Sequence, residues 1–132
     1  MLASYKTNRN VVYSCKYHIV WCSKYRRPVL DEAVAERLKA IVRRTAQECE
    51  AELIELEVTP HHVRLLCEIV PQFGVHRLVK RLKGRSSRLL RQEFPWLRSR
   101  LPTLWTSSYF VVTVGGAPLA AIKRYIEQQK ER

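Results

Sequence analysis

The chain has 132 residues, enough for one domain built around one core. Hydrophobic residues make up 46% of it, which excludes a disordered polyelectrolyte, and no apolar run reaches the length of a membrane span. Twenty-four lysines and arginines against 12 acids leave a net charge of +12, so the expected partner is a polyanion: nucleic acid or an anionic membrane surface.

The first residues, Met1 to Lys6, lack the apolar core of a signal peptide, which points to a soluble, cytoplasmic protein. Cys15, Cys22, Cys49 and Cys67 are scattered without a CxxC pair. They read as small buried or half-buried thiols, neither a zinc site nor a disulfide framework. There is no internal repeat and no linker, so residues 1–132 are one domain.

Residues 1–10 are polar. Val11 to Cys22 reads as one long strand, with Tyr13, Cys15, Tyr17, Ile19 and Trp21 toward the core. Its other face carries Val12, Ser14, Lys16, His18 and Val20; His18 reads as a structural histidine. In the loop that follows, Lys24, Arg26 and Arg27 surround Tyr25. This is either a solvated basic turn or a surface that pairs with phosphates and stacks on a base. Asp31 is placed to cap a helix over about Glu32 to Glu50, whose stripe is Val34, Leu38, Ile41, Val42, Thr45 and Cys49.

Leu53 to Val58 is a strand with Ile54, Leu56 and Val58 inward. After the turn at Thr59-Pro60 a second strand places Val63, Leu65, Cys67 and Ile69 on the core face. His62, Arg64, Leu66 and Glu68 then share the other face. Strict alternation would send His61 to the face opposite His62. The two strands form an antiparallel hairpin.

Val75 to Phe94 is a second helix with Val75, Leu78, Val79, Leu82, Ser86, Leu89 and Leu90 on its apolar stripe. Its other faces carry Arg77, Lys80, Arg81, Lys83, Arg85, Arg88 and Arg91, with Glu93 as their one acid. Like charges three and four apart repel, so a nearly all-positive face suits phosphate binding. The apolar stripe is needed for the core, which sets the membrane reading aside. Gly84 weakens the helix and lets a backbone approach closely. Trp105 to Val114 is the last core strand, and Gly115-Gly116 ends it. Ala117 to Lys130 is a terminal helix, with Pro118 in its first turn, Tyr125 and Gln129 one turn apart, and Leu119, Ile122 and Ile126 beside them.

The order strand, helix, strand, strand, helix, strand, helix predicts a ferredoxin-like α+β sandwich, βαββαβ, with an added C-terminal helix. Both packing helices would cover one sheet face. The face with His62 and Arg64 would stay free for nucleic acid or a partner subunit.

In this order, several blocks resemble the single-tyrosine HUH transposases of insertion sequences of the 200/605 type, over nearly the whole chain. They are Tyr17-His18-Ile19-Val20-Trp21 with Lys24-Tyr25-Arg26-Arg27; Leu56-Glu57-Val58 running into Pro60-His61-His62-Val63; Leu82-Lys83-Gly84-Arg85-Ser86-Ser87-Arg88-Leu89; Leu104-Trp105 with Ser108-Tyr109-Phe110; and Lys123-Arg124-Tyr125-Ile126-Glu127-Gln128-Gln129. The resemblance implies a homodimer that recognises hairpins in single-stranded DNA ends. It implies Tyr125 as the nucleophile on a terminal helix (117–132) that follows a glycine hinge and docks on its own or the partner subunit. It also implies a divalent metal, Mg²⁺ or Mn²⁺, held by His62 and Gln129. Tyrosine attack on a phosphodiester leaves a 5′-phosphotyrosine and a free 3′-hydroxyl.

Two positions depart from the family pattern proline–aspartate–histidine–hydrophobic–histidine. His61 stands at the aspartate and Arg64 at the second histidine. Arginine has no lone pair to give a metal. Three arrangements are compatible with this. The site binds metal weakly through His62, Gln129 and water. Arg64 replaces the cation at the scissile phosphate. Or cleavage is lost and hairpin binding is kept.

Overall fold

The computed structural model describes residues 6–7, 12–13, 15–114 and 119–131, with side chains over 15–114 and 122–130. A short antiparallel ribbon, β1 (Lys6–Thr7) with β2 (Val12–Tyr13), precedes the main sheet. The expected strand from Val11 to Cys22 is therefore two strands. β2 turns back on β1, and β3 begins only at Lys16. Val11 and Ser14 lie outside the described residues.

The main sheet contains β3 (Lys16–Cys22), β4 (Glu52–Thr59), β5 (His62–Glu68) and β6 (Phe110–Thr113), all antiparallel in the order β4-β5-β3-β6. The helices are α1 (Glu32–Glu48), α2 (Val75–Glu93), the short α3 (Trp96–Arg100) and α4 (Leu119–Gln128). This is the ferredoxin-like βαββαβ sandwich with a terminal helix added. α3 was not expected, and the last strand starts later than Trp105, which makes only an isolated bridge to Ser23. Gly115, Gly116, Ala117 and Pro118, and with them the expected hinge, lie outside the described residues.

Local chemistry explains the elements. Asp31 accepts a hydrogen bond from Val34 N at 2.9 Å and so caps α1. The α1 stripe of Val34, Leu38, Ile41, Val42 and Cys49 is buried against Leu78, Val79, Leu82 and Leu90 of α2 and against one sheet face. That face presents Ile19, Trp21, Val63, Leu65 and Cys67, each at most 1% exposed. Trp105 closes the core edge-on to Trp21, and its indole N–H donates to the buried Ser86 Oγ at 3.0 Å.

One inward assignment fails. Ile54 is 43% exposed, because the β4–β5 register slips between Leu53 and Glu55. Ile54 is the extra residue of a bulge, and Leu53 takes the inward place beside Leu56 and Val58. The second sheet face is not fully free either. α4 lies against β3 with Ile122 buried, and Val20 and Cys22 are 0% exposed.

Candidate active site

The sheet register assembles the second face residue by residue. Cys22 stands opposite His62, and Thr59 lies on the other side of His62. In the next row Glu57, Arg64, Val20 and Phe110 lie side by side. The Phe110 ring meets the Tyr125 ring of α4 at 5.4 Å between centroids.

Tyr125 and Gln129 converge on one hydroxyl. Ser108 Oγ lies 3.0 Å from Tyr125 Oη and donates to Gln129 Oε1 at 3.2 Å. Serine has a single hydroxyl proton, so Ser108 can donate to only one of the two side chains at a time. Gln129 Nε2 donates to the Tyr125 carbonyl at 3.1 Å, and Gln129 is only 2% exposed. The Ser108 backbone is held in turn by Lys83, whose Nζ donates to the carbonyls of Ser108 (3.0 Å) and Thr106 (2.7 Å). Burial pulls the Lys83 pKa down to about 8, with Cys22 acting the other way. Burial pushes the Cys22 thiol up to about 11 against the pull of Arg26 and Lys83, so it is not a thiolate nucleophile.

Lys83 is thus turned inward and does not share an exposed cationic face as expected. Its position on α2 aims it at the loop before β6. Arg85 is committed to Glu48, with Thr45 Oγ1 at 3.4 Å. Arg77, Lys80, Arg81 and Arg88 remain on the surface. With Arg85 they surround Gly84 in an open concavity of about 430 Å³. Arg77 and Arg81 also lie over the Phe73 ring, at 4.4 and 5.8 Å.

In the loop after β3, Tyr25 and Arg26 adopt left-handed backbone (φ 57° and 51°), a conformation that costs non-glycine residues energy. The Tyr25 ring is exposed beneath Lys24 Nζ at 5.0 Å, and Arg27 is exposed beside it. Arg26 instead forms an ion pair with Glu127 of α4 at 3.3 Å.

His61 breaks the alternation. Residues 60–61 form the β4–β5 turn, so the ring of His61 is not bound to a strand face and lies beside His62. The two Nδ1 atoms are 2.9 Å apart, and Thr59 Oγ1 is 2.8 Å from His62 Nδ1. Burial, then His61, Arg26 and Arg64, lower the His62 pKa to about 4, with Glu57 opposing. Burial and Arg26 lower that of His61 against Glu127. Arg64 is clamped by Glu57 (3.2 Å) and Glu55 (3.4 Å).

A family model described as "Transposase IS200 like" matches residues 11–129. The chain belongs to this transposase family. It is 41% identical over 129 residues to ISDra2 transposase TnpA of Deinococcus radiodurans, covering 96% of this chain and 92% of that protein. It is 33% identical over 121 residues to the transposase for insertion sequence element IS200 of Salmonella typhimurium, covering 90% and 79%. A crystal structure described as that of a transposase from D. radiodurans superposes with a TM-score of 0.86 at 40% identity, over 96% of this chain and 99% of that one. A REP-associated tyrosine transposase bound to a REP hairpin shares the fold, with a TM-score of 0.59 at 10% identity, over 92% and 68%.

The metal set that the family resemblance implies does not fit this transposase as it stands. Arg64 cannot ligate, and the Gln129 amide is spent on Ser108 and on its own helix. Among the described residues no three His, Cys, Asp or Glu side chains gather to hold an ion. Ser108 and Glu127 were not singled out as site residues in the sequence. Ser108 lies 17 and 21 residues from the side chains it joins, and no periodic pattern links them.

Proposed function

We propose that this transposase cuts and rejoins single-stranded DNA ends through Tyr125. The observation that carries the reading is the convergence of Tyr125 and Gln129 on Ser108, on the terminal helix of an IS200-like transposase fold. Tyr125 Oη attacks phosphorus, the Tyr125 O–P bond forms and the P–O3′ bond breaks. The phenol proton is lost to solvent, Ser108 Oγ holds the Tyr125 oxygen in place at 3.0 Å, and the departing 3′ oxygen takes a proton from solvent. The phosphotyrosine keeps the bond energy, so attack by a 3′-hydroxyl rejoins DNA without ATP.

Arg77, Lys80, Arg81 and Arg88 hold the phosphate backbone of a hairpin, and Lys24, Tyr25 and Arg27 add charge and a stacking surface. Arg26, Lys83 and Arg85 act from fixed positions: Arg26 ties this loop to α4, and Lys83 braces Ser108. Arg64 meets the scissile phosphate by exchanging its glutamates for it. The working unit is a homodimer whose terminal helices carry the nucleophiles.

A second reading, hairpin binding without cleavage, is favoured by one observation: Arg64 replaces a ligand and is neutralised by Glu55 and Glu57. An adduct assay separates the two. Wild type with single-stranded ends of its own element and a divalent metal is expected to give a covalent protein–DNA adduct, and Tyr125→Phe none. An equal adduct from Tyr125→Phe would refute the nucleophile. Salt-dependent hairpin binding without any adduct would support the second reading; Arg64→His is then expected to restore cleavage.

A further inference from the structure

We infer that His61 and His62, neighbours in the β4–β5 turn, are the metal-binding pair of this transposase, and that they take a transition ion of the Zn²⁺, Co²⁺ or Ni²⁺ class in preference to Mg²⁺. The ion's use in DNA cleavage rests on the proposed function; its binding does not.

The argument starts from the turn. Leu30 N donates to the Pro60 carbonyl at 3.0 Å, and Ser23 N donates to the His61 carbonyl at 3.0 Å. Ser23 Oγ gives its one proton to the Arg27 carbonyl at 2.6 Å, which ties the following loop to the same point. These bonds hold the turn, and the turn frees His61 from strand alternation. The two rings lie 4.8 Å apart between centroids and tilt by 37°. Their Nδ1 atoms face one another at 2.9 Å. Metal–imidazole bonds of about 2.0–2.1 Å place two nitrogens roughly 2.9 Å apart at the right angle of an octahedral ion and roughly 3.3 Å apart at a tetrahedral one. The pair is within about 0.4 Å of the spacing of two adjacent ligands in either geometry.

The same His62 nitrogen also meets Thr59 Oγ1 at 2.8 Å. His62 Nδ1 carries either one proton or one lone pair, so it can serve only one of these two close contacts well. A cation serves them together. Two imidazoles and a hydroxyl leave the remaining positions to water or to phosphate oxygens, the open arrangement that a catalytic ion needs. Imidazole nitrogen selects borderline ions, whereas Mg²⁺ prefers carboxylate and water oxygens. Arg26 and Arg64 oppose a cation here, but Arg26 is offset by Glu127 at 3.3 Å and Arg64 by Glu57 and Glu55. The position of the missing second histidine would thus be taken over by the residue before His62 instead of the residue two after it.

The test is a titration of the full chain with Co²⁺, read by its visible absorption, and with Zn²⁺ and Mg²⁺ by calorimetry, without DNA. One ion per chain is expected, with Zn²⁺ at least tenfold tighter than Mg²⁺. His61→Ala and His62→Ala should each weaken Co²⁺ binding at least tenfold, and His61→Gln, which keeps the bulk of the turn, should do the same. His76→Ala, at a histidine outside the turn, should leave it unchanged. Circular dichroism checks that each variant is folded. Wild-type binding that survives His61→Gln, equal loss with His76→Ala, or no ion bound to wild type would overturn the inference. Ion binding through both histidines with no DNA adduct would uphold it and count against the cleavage reading alone.

Discussion

Replacing Lys83 with methionine tests how the fold positions Tyr125. The substitution keeps the apolar stem and removes the ammonium that braces the Thr106 and Ser108 carbonyls at 2.7 and 3.0 Å. Two charge-assisted hydrogen bonds are worth about 1.5–3 kcal/mol each. Against this stands the desolvation that lowers the pKa from 10.5 to about 8, at most about 3.4 kcal/mol and about 2 after allowance for partial exposure. The net loss at pH 7 should be about 1–4 kcal/mol. The pH dependence supplies a second reading. Between pH 8 and 10.5 the unfolded chain still holds the proton that folded Lys83 has shed, so the unfolded state binds more protons and wild-type stability from this group rises with pH. Lys83→Met should lack that rise. Urea unfolding of both proteins at pH 7, 8, 9 and 10 measures it. Parallel profiles, or a variant as stable as wild type at pH 7, would refute the bracing role. The variant should also slow adduct formation, since Ser108 would lose its anchor.

Other substitutions probe single features. Ile54→Ala should cost less than about 1 kcal/mol in urea unfolding, because the bulge leaves the side chain exposed; a loss of about 2 kcal/mol or more would restore the inward assignment. Asp31→Ala should cost about 0.5–2 kcal/mol through loss of the α1 cap, and Asp31→Asn should recover most of it. A Cβ at Gly84 meets nothing within 4 Å, so Gly84→Ala should stabilise α2 by about 1 kcal/mol. If a phosphate backbone approaches there, the same variant binds hairpin DNA more weakly; unchanged binding would place the DNA elsewhere. Neutralising Arg81 and Arg88 together should lower the salt slope of DNA binding by about 2, and an unchanged slope would remove both from the interface.

Much of this was legible in the chain. Val63, Leu65, Cys67 and Ile69 alternate to one face because a buried strand has period two, and all four are buried. Asp31 announces a helix start by its chemistry, and the stripes of α1 and α2 follow the helical period. The element order carried the sandwich, and the motif blocks carried the family. Two of the failures share a cause: periodicity speaks only for regular backbone. Ile54 sits in a bulge and His61 in a turn, so neither obeys the alternation of its neighbours. The placement of 117–132 as a mobile or partner-docking helix stays a proposal.

By itself, then, the sequence determined the architecture, the transposase ancestry and the anomaly at Arg64, because these depend on residue type and local period. Only the tertiary structure decided what the anomalous residues touch. It gave Arg64 two glutamates, turned Lys83 inward, set Ser108 between Tyr125 and Gln129, and brought two imidazole nitrogens to 2.9 Å. Ser108 and Lys83 are joined to partners 17 to 25 residues away, Arg64 to its glutamates across a hairpin, and His61 to its neighbour only because the turn rotates it. No local pattern encodes them, because the packing of the sheet, not sequence spacing, sets their distances.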